Sequence, residues 1–554
     1  MRRPGRAVLL LAAGATAALV IGALAVLRPI PTTSEVVALD APRFVDEATG
    51  AGIVHAYAGD FTFFVGGGVA AFDCNDDGHQ DLFFAGGADS AALYRNDSPV
   101  GGALRFTRLS DPVTDLPAVT GAYPLDIDGD GETDLAVLRL GENVLLRGRG
   151  GCRFERANER WGFDGGDSWS AAFSATWEDG AALPTLAVGN YLKLNPDGSS
   201  TFDCQDGELF RPLADGGSYG APIPLSPGYC PLSMLFSDWS RSGQRDLRVS
   251  NDRHYYGEIG GGQEQLWRVA PGDAPSLYTQ DQGWQPVKIW GMGIASFDLT
   301  GDGYPELYLT SQADNKLQTL ADGPAAPDYT DIALRRGVTA HRPYEGDTSL
   351  ASTAWHPEFA DLNNDGLVDL LVTKGNVDAQ EGFALRDPND LFIGQLDGTF
   401  SEEAEQAGIM NFSKARGAAI VDLNLDGLLD MVIVNRVENV ELWRNVGAGT
   451  AATPEPMGNW IALRLEDPGA NRDAIGSWLE VSAGGRESSR ELTVGGGHVS
   501  GELGWVHFGI GSADEATVNV TWPDGQVSEP ITVRANGFAL IRRGATAAVP
   551  WTPQ

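Results

Sequence analysis

The sequence from residue 417 to residue 434 reads GAAIVDLNLDGLLDMVIV. An apolar run leads into a nine-residue stretch with Asp or Asn at positions 1, 3, 5 and 9 and glycine at position 6, and a second apolar run follows. Apolar runs on both sides of a short polar stretch that contains glycine predict two strands joined by a loop. The four polar positions of this loop are Asp422, Asn424, Asp426 and Asp430.

Four other stretches repeat this pattern at fairly regular intervals along the chain. They contribute Asp73, Asn75, Asp77 and Asp81; Asp126, Asp128, Asp130 and Asp134; Asp298, Thr300, Asp302 and Glu306; and Asp361, Asn363, Asp365 and Asp369. A degenerate copy, here called the worn copy, begins at Asp238. The repeat interval predicts a further copy near 177–180, but the spacing of the ligand positions is not kept there. Further strand-like runs follow each loop, which predicts about four short strands per unit. Seven such units predict a seven-bladed β-propeller.

The expected fold class is therefore all-β, a seven-bladed propeller with a small C-terminal β-rich domain, preceded by an N-terminal transmembrane or signal helix. The segment Arg43–Asp46 resembles the outer strands of other units, so we expect it to complete the last blade and close the ring. The predicted boundaries are 1–30 for the signal or anchor, 31–457 for the propeller with a loop-rich insertion at 192–231, 458–545 for the second domain and 546–554 for a tail.

The repeated loop has the chemistry of a calcium site. Calcium prefers about six to eight hard oxygen ligands, which carboxylate and amide side chains and backbone carbonyls supply. His79 stands at position 7, where the loop offers its backbone carbonyl, and we expect its ring to face solvent. About five Ca²⁺ ions are predicted, and the alternative is a set of acidic turns without metal. An EF-hand is excluded because position 12 is not Glu and the flanks are strands.

The N-terminus indicates export. Three arginines within the first six residues precede an uncharged, apolar run from 7 to 27. This run is long enough to cross a bilayer as a helix, which favours a signal anchor, and cleavage after Ala25 is the alternative. In both cases the basic end stays inside. We therefore expect an extracytoplasmic protein, periplasmic or extracellular, that meets a membrane only through this helix.

The net charge limits the classes of partner, and the cysteine content indicates the cellular compartment. The formal net charge is −36, which argues against nucleic acid and favours cations. The four cysteines suggest disulfides in an oxidising compartment, with Cys204 and Cys230 as the favoured pair because they flank one loop-rich stretch.

The repeat resembles the FG-GAP/VCBS repeat of integrin α-subunit propellers, and Gly66–Asp81 and Gly417–Asp430 carry the resemblance best. The stretch from about Asn459 to Arg543 resembles the ASPIC/UnbV domain. A propeller followed by such a domain is the architecture of the cartilage acidic protein family. The resemblance implies an extracellular, calcium-binding protein in a matrix or adhesion setting.

These features favour a binding, adhesion or interaction module that holds a protein or glycan ligand through one face, with structural calcium in the loops. No catalytic residue is predicted. The alternatives are an extracytoplasmic enzyme that uses the central channel and the insertion, and a purely architectural envelope protein. Trp284, Trp290 and Trp355 lie near blade starts and are candidates for a sugar or peptide site, with ordinary packing as the alternative. A polar cluster at Asn251–Tyr256 is a second candidate patch.

Overall fold

The computed structural model describes residues 37–553 apart from 179, 196, 198, 215, 253–261, 286 and 340–349. The predicted signal or anchor helix, 1–30, lies outside the described residues. Within them, no helix has the length and apolar character needed to cross a membrane. The described chain is almost entirely β, and its helical turns are Phe61–Phe63, Gln280–Gln282, Ala333–Arg336 and Ala404–Ala407.

Four-stranded antiparallel sets follow one another along the first part of the described chain. Seven such sets, of 28 strands, are found there, and a separate two-stranded hairpin brings the number of strands to thirty. The strands of the first four sets, with the strand that precedes them, are β1 (Phe44–Asp46); β2 (Val69–Phe72), β3 (Asp81–Phe84), β4 (Ala92–Asn96) and β5 (Phe106–Leu109); β6 (Val119–Leu125), β7 (Asp134–Gly141), β8 (Val144–Gly148) and β9 (Phe154–Arg156); β10 (Ser168–Thr176), β11 (Thr185–Asn190), β12 (Leu192–Leu194), β13 (Ser200–Cys204), β14 (Gly207–Phe210) and β15 (Ile223–Leu225); and β16 (Pro231–Ser237), β17 (Asp246–Asn251), β18 (Gln265–Arg268) and β19 (Ser276–Leu277). The remaining three sets contain β20 (Gly291–Phe297), β21 (Glu306–Ser311), β22 (Lys316–Leu320) and β23 (Tyr329–Asp331); β24 (Ala354–Ala360), β25 (Asp369–Lys374), β26 (Asp390–Gly394) and β27 (Phe400–Glu402); and β28 (Lys414–Val421), β29 (Asp430–Arg436) and β30 (Glu441–Asn445).

The last set is completed by the strand nearest the N-terminus. Strand β1 pairs antiparallel with β30, so that Phe44 faces Asn445 and Asp46 faces Trp443. This confirms the prediction that Arg43–Asp46 closes the last unit. Closure of this kind removes the free edges at which a ring of sheets would otherwise open.

The first strands of the sets form an inner layer in which each strand contacts the next. Hydrogen bonds of this layer run from Gly67 N to Thr120 O (2.8 Å), from Thr120 Oγ1 to Ser170 O (2.7 Å) and from Gly417 N back to Gly67 O (3.0 Å). Because the last set bonds to the first, the sets enclose a ring, and the fold is a β-propeller.

The insertion predicted as loop-like at 192–231 is more ordered than expected. It contains the hairpin β12–β13 and the two outer strands of the third set, β14 and β15. The disulfide Cys204–Cys230 anchors it, as predicted. A second disulfide, Cys74–Cys152, joins the loop of the first set to the outer part of the second set.

A β-sandwich follows the propeller. The strands of this part of the chain are β31 (Asn459–Glu466), β32 (Trp478–Ala483), β33 (Arg486–Glu491), β34 (Val494–Gly495), β35 (Gly501–Leu503), β36 (Val506–Gly511), β37 (Glu515–Thr521), β38 (Ile531–Arg534), β39 (Gly537–Arg542) and β40 (Val549–Trp551). The two sheets of the sandwich have the strand orders β36-β31-β39-β40 and β33-β32-β37-β38, and apolar side chains from both sheets meet in one core. The segment 546–554, predicted as a tail, includes strand β40, so the prediction was incomplete.

Residues 494–503 leave the sandwich and enter the propeller ring, and we call this segment the finger. Strand β34 pairs with β10 and β16, and β35 pairs in parallel with β2. At its tip Gly497 exchanges backbone hydrogen bonds with Ile294 at 2.6 and 3.3 Å. A Cβ on Gly68 would lie 1.8 Å from the carbonyl oxygen of Val499. Gly68 is therefore required by the close approach of the finger, whereas Gly66 and Gly67 leave room for the Tyr57 ring.

Candidate functional site

All five repeated loops have the same backbone geometry. The carboxylate at position 1 accepts a hydrogen bond from the backbone N–H of glycine at position 6, at 2.7–3.0 Å. The carboxylate at position 5 accepts one from the N–H of position 7, at 2.8–3.0 Å. The position-6 glycines have φ between 82° and 91°, a region that glycine enters without strain. The motif thus specifies the loop shape as well as the oxygen atoms.

The carboxylate at position 9 has a structural role that the sequence did not reveal. Asp81 accepts hydrogen bonds from Cys74 N and from Asn96 N on the third strand, both at 2.8 Å. Asp430 does the same with Leu423 N and Asn445 N. Burial raises the pKa of both carboxyls well above the usual range. Each oxygen keeps a second lone pair, so these groups remain able to hold a cation.

In two loops the position-3 asparagine has an oxygen that lacks a hydrogen-bond partner; Asp128 Oδ1 and Asn364 Oδ1, in two other loops, also lack one. The Asn75 amide donates to Asp77 Oδ2 at 2.8 Å, and the Asn424 amide donates to Asp426 Oδ2 at 3.0 Å. In each loop the Oδ1 of the asparagine is buried without a hydrogen-bond partner. Leaving a buried acceptor unpaired costs about 1–3 kcal/mol. A cation between positions 1, 3 and 5 would satisfy this oxygen, so both loops fit calcium.

The loops at 298 and 361 satisfy more of their own oxygens. In the loop at 361, Asn363 Oδ1 accepts from Asp365 N at 3.1 Å, and Asp365 Oδ2 accepts from Leu39 N at 2.8 Å. In the loop at 298, the Thr300 hydroxyl donates to Glu306 at 3.3 Å. Burial raises the pKa of Glu306 to about 7. These loops bring the predicted ligands together, with the position-1 and position-5 carboxylates on one side.

The loop at 126 has a cation of its own. Carboxylate oxygens of Asp126, Asp128 and Asp130 lie within 4.8 Å of one another. The guanidinium of Arg147 reaches into this group, with Nε 2.6 Å from Asp128 Oδ2 and Nη2 bonded to Asp130. Asp134, the fourth predicted ligand, makes the two backbone hydrogen bonds of position 9, accepting from Ile127 N at 2.8 Å and Gly148 N at 2.7 Å. Arg147 therefore offsets part of the negative charge of this loop from within the protein.

His79 differs from its prediction. Its ring is buried, and Nδ1 lies 3.1 Å from the Leu423 carbonyl in the loop of the neighbouring set. The expectation of a solvated ring was wrong, because two adjacent loops pack against each other at this point. The calcium ligand predicted at His79 is its backbone carbonyl, so the burial of the ring does not bear on that prediction.

The worn loop at Asp238 serves as a contact point. Its Ser240 and Ser242 hydroxyls bond to each other at 2.9 Å. Arg241 extends from the loop to Glu480 at 2.5 Å, and its guanidinium lies 4.2 Å from the centroid of the Trp478 ring. Since Glu480 and Trp478 belong to the sandwich, this copy helps to hold the two domains together.

The sandwich covers the loop end of the propeller. A Cβ on Gly427 would meet the Trp460 ring at 1.8 Å, and a Cβ on Gly78 would meet the Trp551 ring at 2.2 Å. Loop glycines therefore serve both the turn and the docking of the second domain. The tryptophans that follow the propeller were the available signal, but the sequence did not indicate which surface they contact.

The finger places His498 against His356 of β24, and the two histidines form a buried pair. His498 N donates to His356 Nδ1 at 3.0 Å, and His498 Nδ1 lies 3.3 Å from the Leu232 carbonyl. Burial lowers the pKa of His356 to about 4 and that of His498 to about 3, so both rings are neutral at pH 7. The sequence reading had left both histidines without a role, and the structure uses them to fix the finger in the ring.

An aromatic cavity of about 350 Å³ opens at the end of the ring opposite the loops. Trp290 and Trp355, two of the predicted candidates, both line it. Trp284 does not, since it is buried beside Arg248, whose guanidinium lies 4.4 Å from its ring centroid. Of the polar cluster 251–256, Asp252 lines the cavity, and 253–256 lie outside the described residues.

Comparison with known families assigns two parts of the chain. A family model described as an FG-GAP-like repeat matches residues 73–137, and one described as ASPIC and UnbV matches residues 467–548. The chain therefore carries an FG-GAP β-propeller followed by an ASPIC and UnbV domain, and the architecture recognised from the sequence is confirmed. No curated protein matches the chain.

Solved structures give weak likenesses. A lectin from Agrocybe aegerita that recognises non-reducing terminal N-acetylglucosamine is 16% identical, covers 66% of this chain and 88% of its own, and has a TM-score of 0.37. The Dos1 propeller is 9% identical, covers 74% of this chain and 96% of its own, and has a TM-score of 0.35. These values say nothing about what the present chain binds.

Proposed function

We propose that this chain is an exported, calcium-binding, seven-bladed β-propeller that acts as a binding or interaction module, with calcium structural in the blade loops. The seven sets are its blades. The observation that carries the proposal is the pair of buried, unpartnered oxygens of Asn75 and Asn424 inside otherwise saturated carboxylate loops.

The position of the loops favours a structural role for calcium. Each loop joins the first and second strands of a blade, and the sandwich covers that end of the ring. An ion held there stabilises the strand connection and the docking of the sandwich, and it lies apart from the cavity end. Export and a membrane contact through the N-terminal helix rest on the sequence of residues 1–30.

The partner is a protein or a glycan held through the face that the sandwich leaves open. The enzyme alternative placed its site in the central channel and the insertion. The finger contacts the first strand of every described set and so fills the channel part of that site, which favours the binding module.

Metal content and thermal unfolding test the proposal together. The full chain, desalted after purification, is expected to retain calcium by elemental analysis, and a calcium chelator is expected to lower its Tm. Magnesium is expected to restore less of the Tm, because it demands a tighter octahedral geometry than these loops offer. A chain without calcium whose Tm is the same in chelator would contradict the proposal.

A further inference from the structure

The cavity at the open end of the ring is built by residues from several blades. Its volume of about 350 Å³ falls in the range of about 300–1,000 Å³ that is usual for small-molecule sites. Aromatic rings dominate its wall, and Val499 at the tip of the finger packs into the same aromatic cluster. The rings are Phe61, Phe64, Trp169, Tyr191, Phe202, Trp290 and Trp355.

The insertion contributes to this wall. Phe202 lies on its hairpin, is 50% exposed, and has its ring centroid 5.9 Å from that of Phe61. The disulfide Cys204–Cys230 fixes the hairpin beside the cavity. An exposed aromatic side chain on an anchored hairpin is positioned to contact a ligand that enters from solvent.

Charges near the cavity already have partners. Arg416 donates to the carbonyls of Phe64 and Val377, and its guanidinium lies 4.1 Å from the Trp355 ring centroid. Asp378 bonds Arg436 at 3.1 Å, and Asp252 accepts from the Tyr191 hydroxyl. An ionic ligand would therefore have to displace an existing pair, and a second cation would be repelled by the arginines. The cavity favours a neutral ligand.

The wall also offers hydrogen bonds. Gln312 and Gln380 both line the cavity, and the Gln312 amide donates to Gln380 Oε1 at 2.5 Å. Gln380 is exposed, and its amide nitrogen can donate to a ligand in this cavity. The ligand should therefore combine an apolar face, which meets the aromatic rings, with polar edges, which meet the amide.

We propose that this cavity binds a single neutral sugar ring at the end of a glycan. The C–H face of a pyranose stacks on aromatic rings, and its hydroxyl groups accept from an amide N–H. The inference rests on the proposed function as a binding module and names the ligand class of its open face. The aromatic wall positions the ring, and the insertion selects what lies beyond it.

The test uses the full chain with calcium, in a detergent without a sugar headgroup. An array of neutral and acidic glycans is the first probe, and the strongest neutral glycan is then titrated by calorimetry. Phe202→Ala is expected to weaken binding about tenfold, equivalent to about 1.4 kcal/mol. Gln380→Leu, which removes the amide donor and keeps a side chain of similar size, is expected to weaken it about fivefold. Trp284→Phe is the matched control, since Trp284 is buried outside the cavity, and is expected to leave binding unchanged.

The outcomes separate this inference from the proposed function. Neutral-glycan binding that both cavity variants weaken and the control preserves supports the sugar site. The sugar site is overturned by an absence of neutral-glycan binding, by binding that Phe202→Ala and Gln380→Leu leave unchanged, or by an equal loss in Trp284→Phe. Tetramethylammonium is the cationic probe, and its capture in place of a sugar also overturns it. A chain that holds calcium but no sugar leaves the calcium-binding propeller intact and indicates a protein partner.

Discussion

The loops at 422–430 and 126–134 have the same motif and the same backbone hydrogen bonds, but they balance their negative charge differently. In the first, Asn424 turns its amide toward Asp426 and leaves its own oxygen buried and unpaired. In the second, position 3 is Asp128, and Arg147 bonds both Asp128 and Asp130. A cluster of carboxylates needs a cation, and the difference shows that the protein can provide one itself.

The arginine that makes the difference occupies a position that other blades share. Arg95 and Arg444 precede the same residue of the third strand, the one whose N–H bonds the position-9 carboxylate. Arg95 is held by Asp97 at 2.8 Å and Arg444 by Glu47 at 2.9 Å. Arg147 has Glu155 only at 3.6 Å, so it turns toward the nearer carboxylates of the loop. The surroundings of one side chain therefore decide the electrostatics of a whole loop.

Removal of calcium is expected to have the largest effect. A loop that binds calcium in the native state and not in the unfolded chain raises the free energy of unfolding. The increase is about 2.7 kcal/mol when free calcium is 100-fold above the Kd of that loop. We expect a chelator to lower the Tm of the full chain by several degrees, measured by calorimetry. Excess calcium should reverse the change, and an unchanged Tm would show that the loops are stable acidic turns.

The double substitution Asp422→Asn, Asp426→Asn is expected to have the next largest effect. In calcium it should remove one bound ion and lower the Tm. In chelator the loss should be much smaller, because the relief of repulsion between buried carboxylates offsets part of the cost of the loop hydrogen bonds that an amide nitrogen cannot accept.

The matched double substitution is Asp126→Asn, Asp130→Asn. It leaves Arg147 with fewer partners, so we expect the same loss of stability with and without calcium. A loss that depends on calcium in both variants would erase the distinction between the two loops.

Replacement of Arg147 by Met is expected to make the loop at 126 depend on calcium in the way that the loop at 422 does. Without calcium, the loss of its charged hydrogen bonds should cost about 1.5–3 kcal/mol. With calcium, an ion should take the place of the guanidinium and recover much of the Tm. Arg95→Met is the control, since Arg95 pairs with Asp97 outside the loop, and its Tm change should be small and independent of calcium.

The smallest expected effect comes from Asn424→Asp. A carboxylate at position 3 adds an anionic ligand, which should raise the calcium affinity of that loop by several fold. In chelator the added charge should lower the Tm slightly. Isothermal titration and unfolding measured on the same preparation check both signs, and a weaker calcium affinity would contradict the assignment of Asn424 as a ligand.

The repeat was enough to predict the four-stranded units, and the segment Arg43–Asp46 was enough to predict how the last unit is completed. Both depend on local patterns, which a sequence displays directly. The finger was not predicted, because its contacts join residues 494–503 to strands hundreds of positions away. Two glycine runs, at 66–68 and 495–497, were the available signal: a Cβ on Gly68 would meet Val499 O of the finger, and a Cβ on Gly496 would meet Ile294 O of the ring.

The candidate site could also be predicted only in part, because a sequence displays local patterns and does not display contacts between distant residues. The motif identified the oxygen atoms of the loops and, through its glycine, the shared loop shape. The motif did not identify Arg147, which comes from another strand, or the burial of His79, which depends on the neighbouring blade. The aromatic cavity combines residues from several blades and an insertion, so no single stretch displays it.

Location of the ions would test the difference between the loops most directly. Crystals of the full chain grown with calcium, and others with terbium as an anomalous substitute, would place each ion in density. We predict ions in the loops at 73 and 422, about 2.3–2.6 Å from Asn75 Oδ1 and Asn424 Oδ1, and none between Asp128 and Asp130, where Arg147 remains. Equal occupancy of the loops at 126 and 422, or empty loops at 73 and 422, would contradict the proposed difference between the loops.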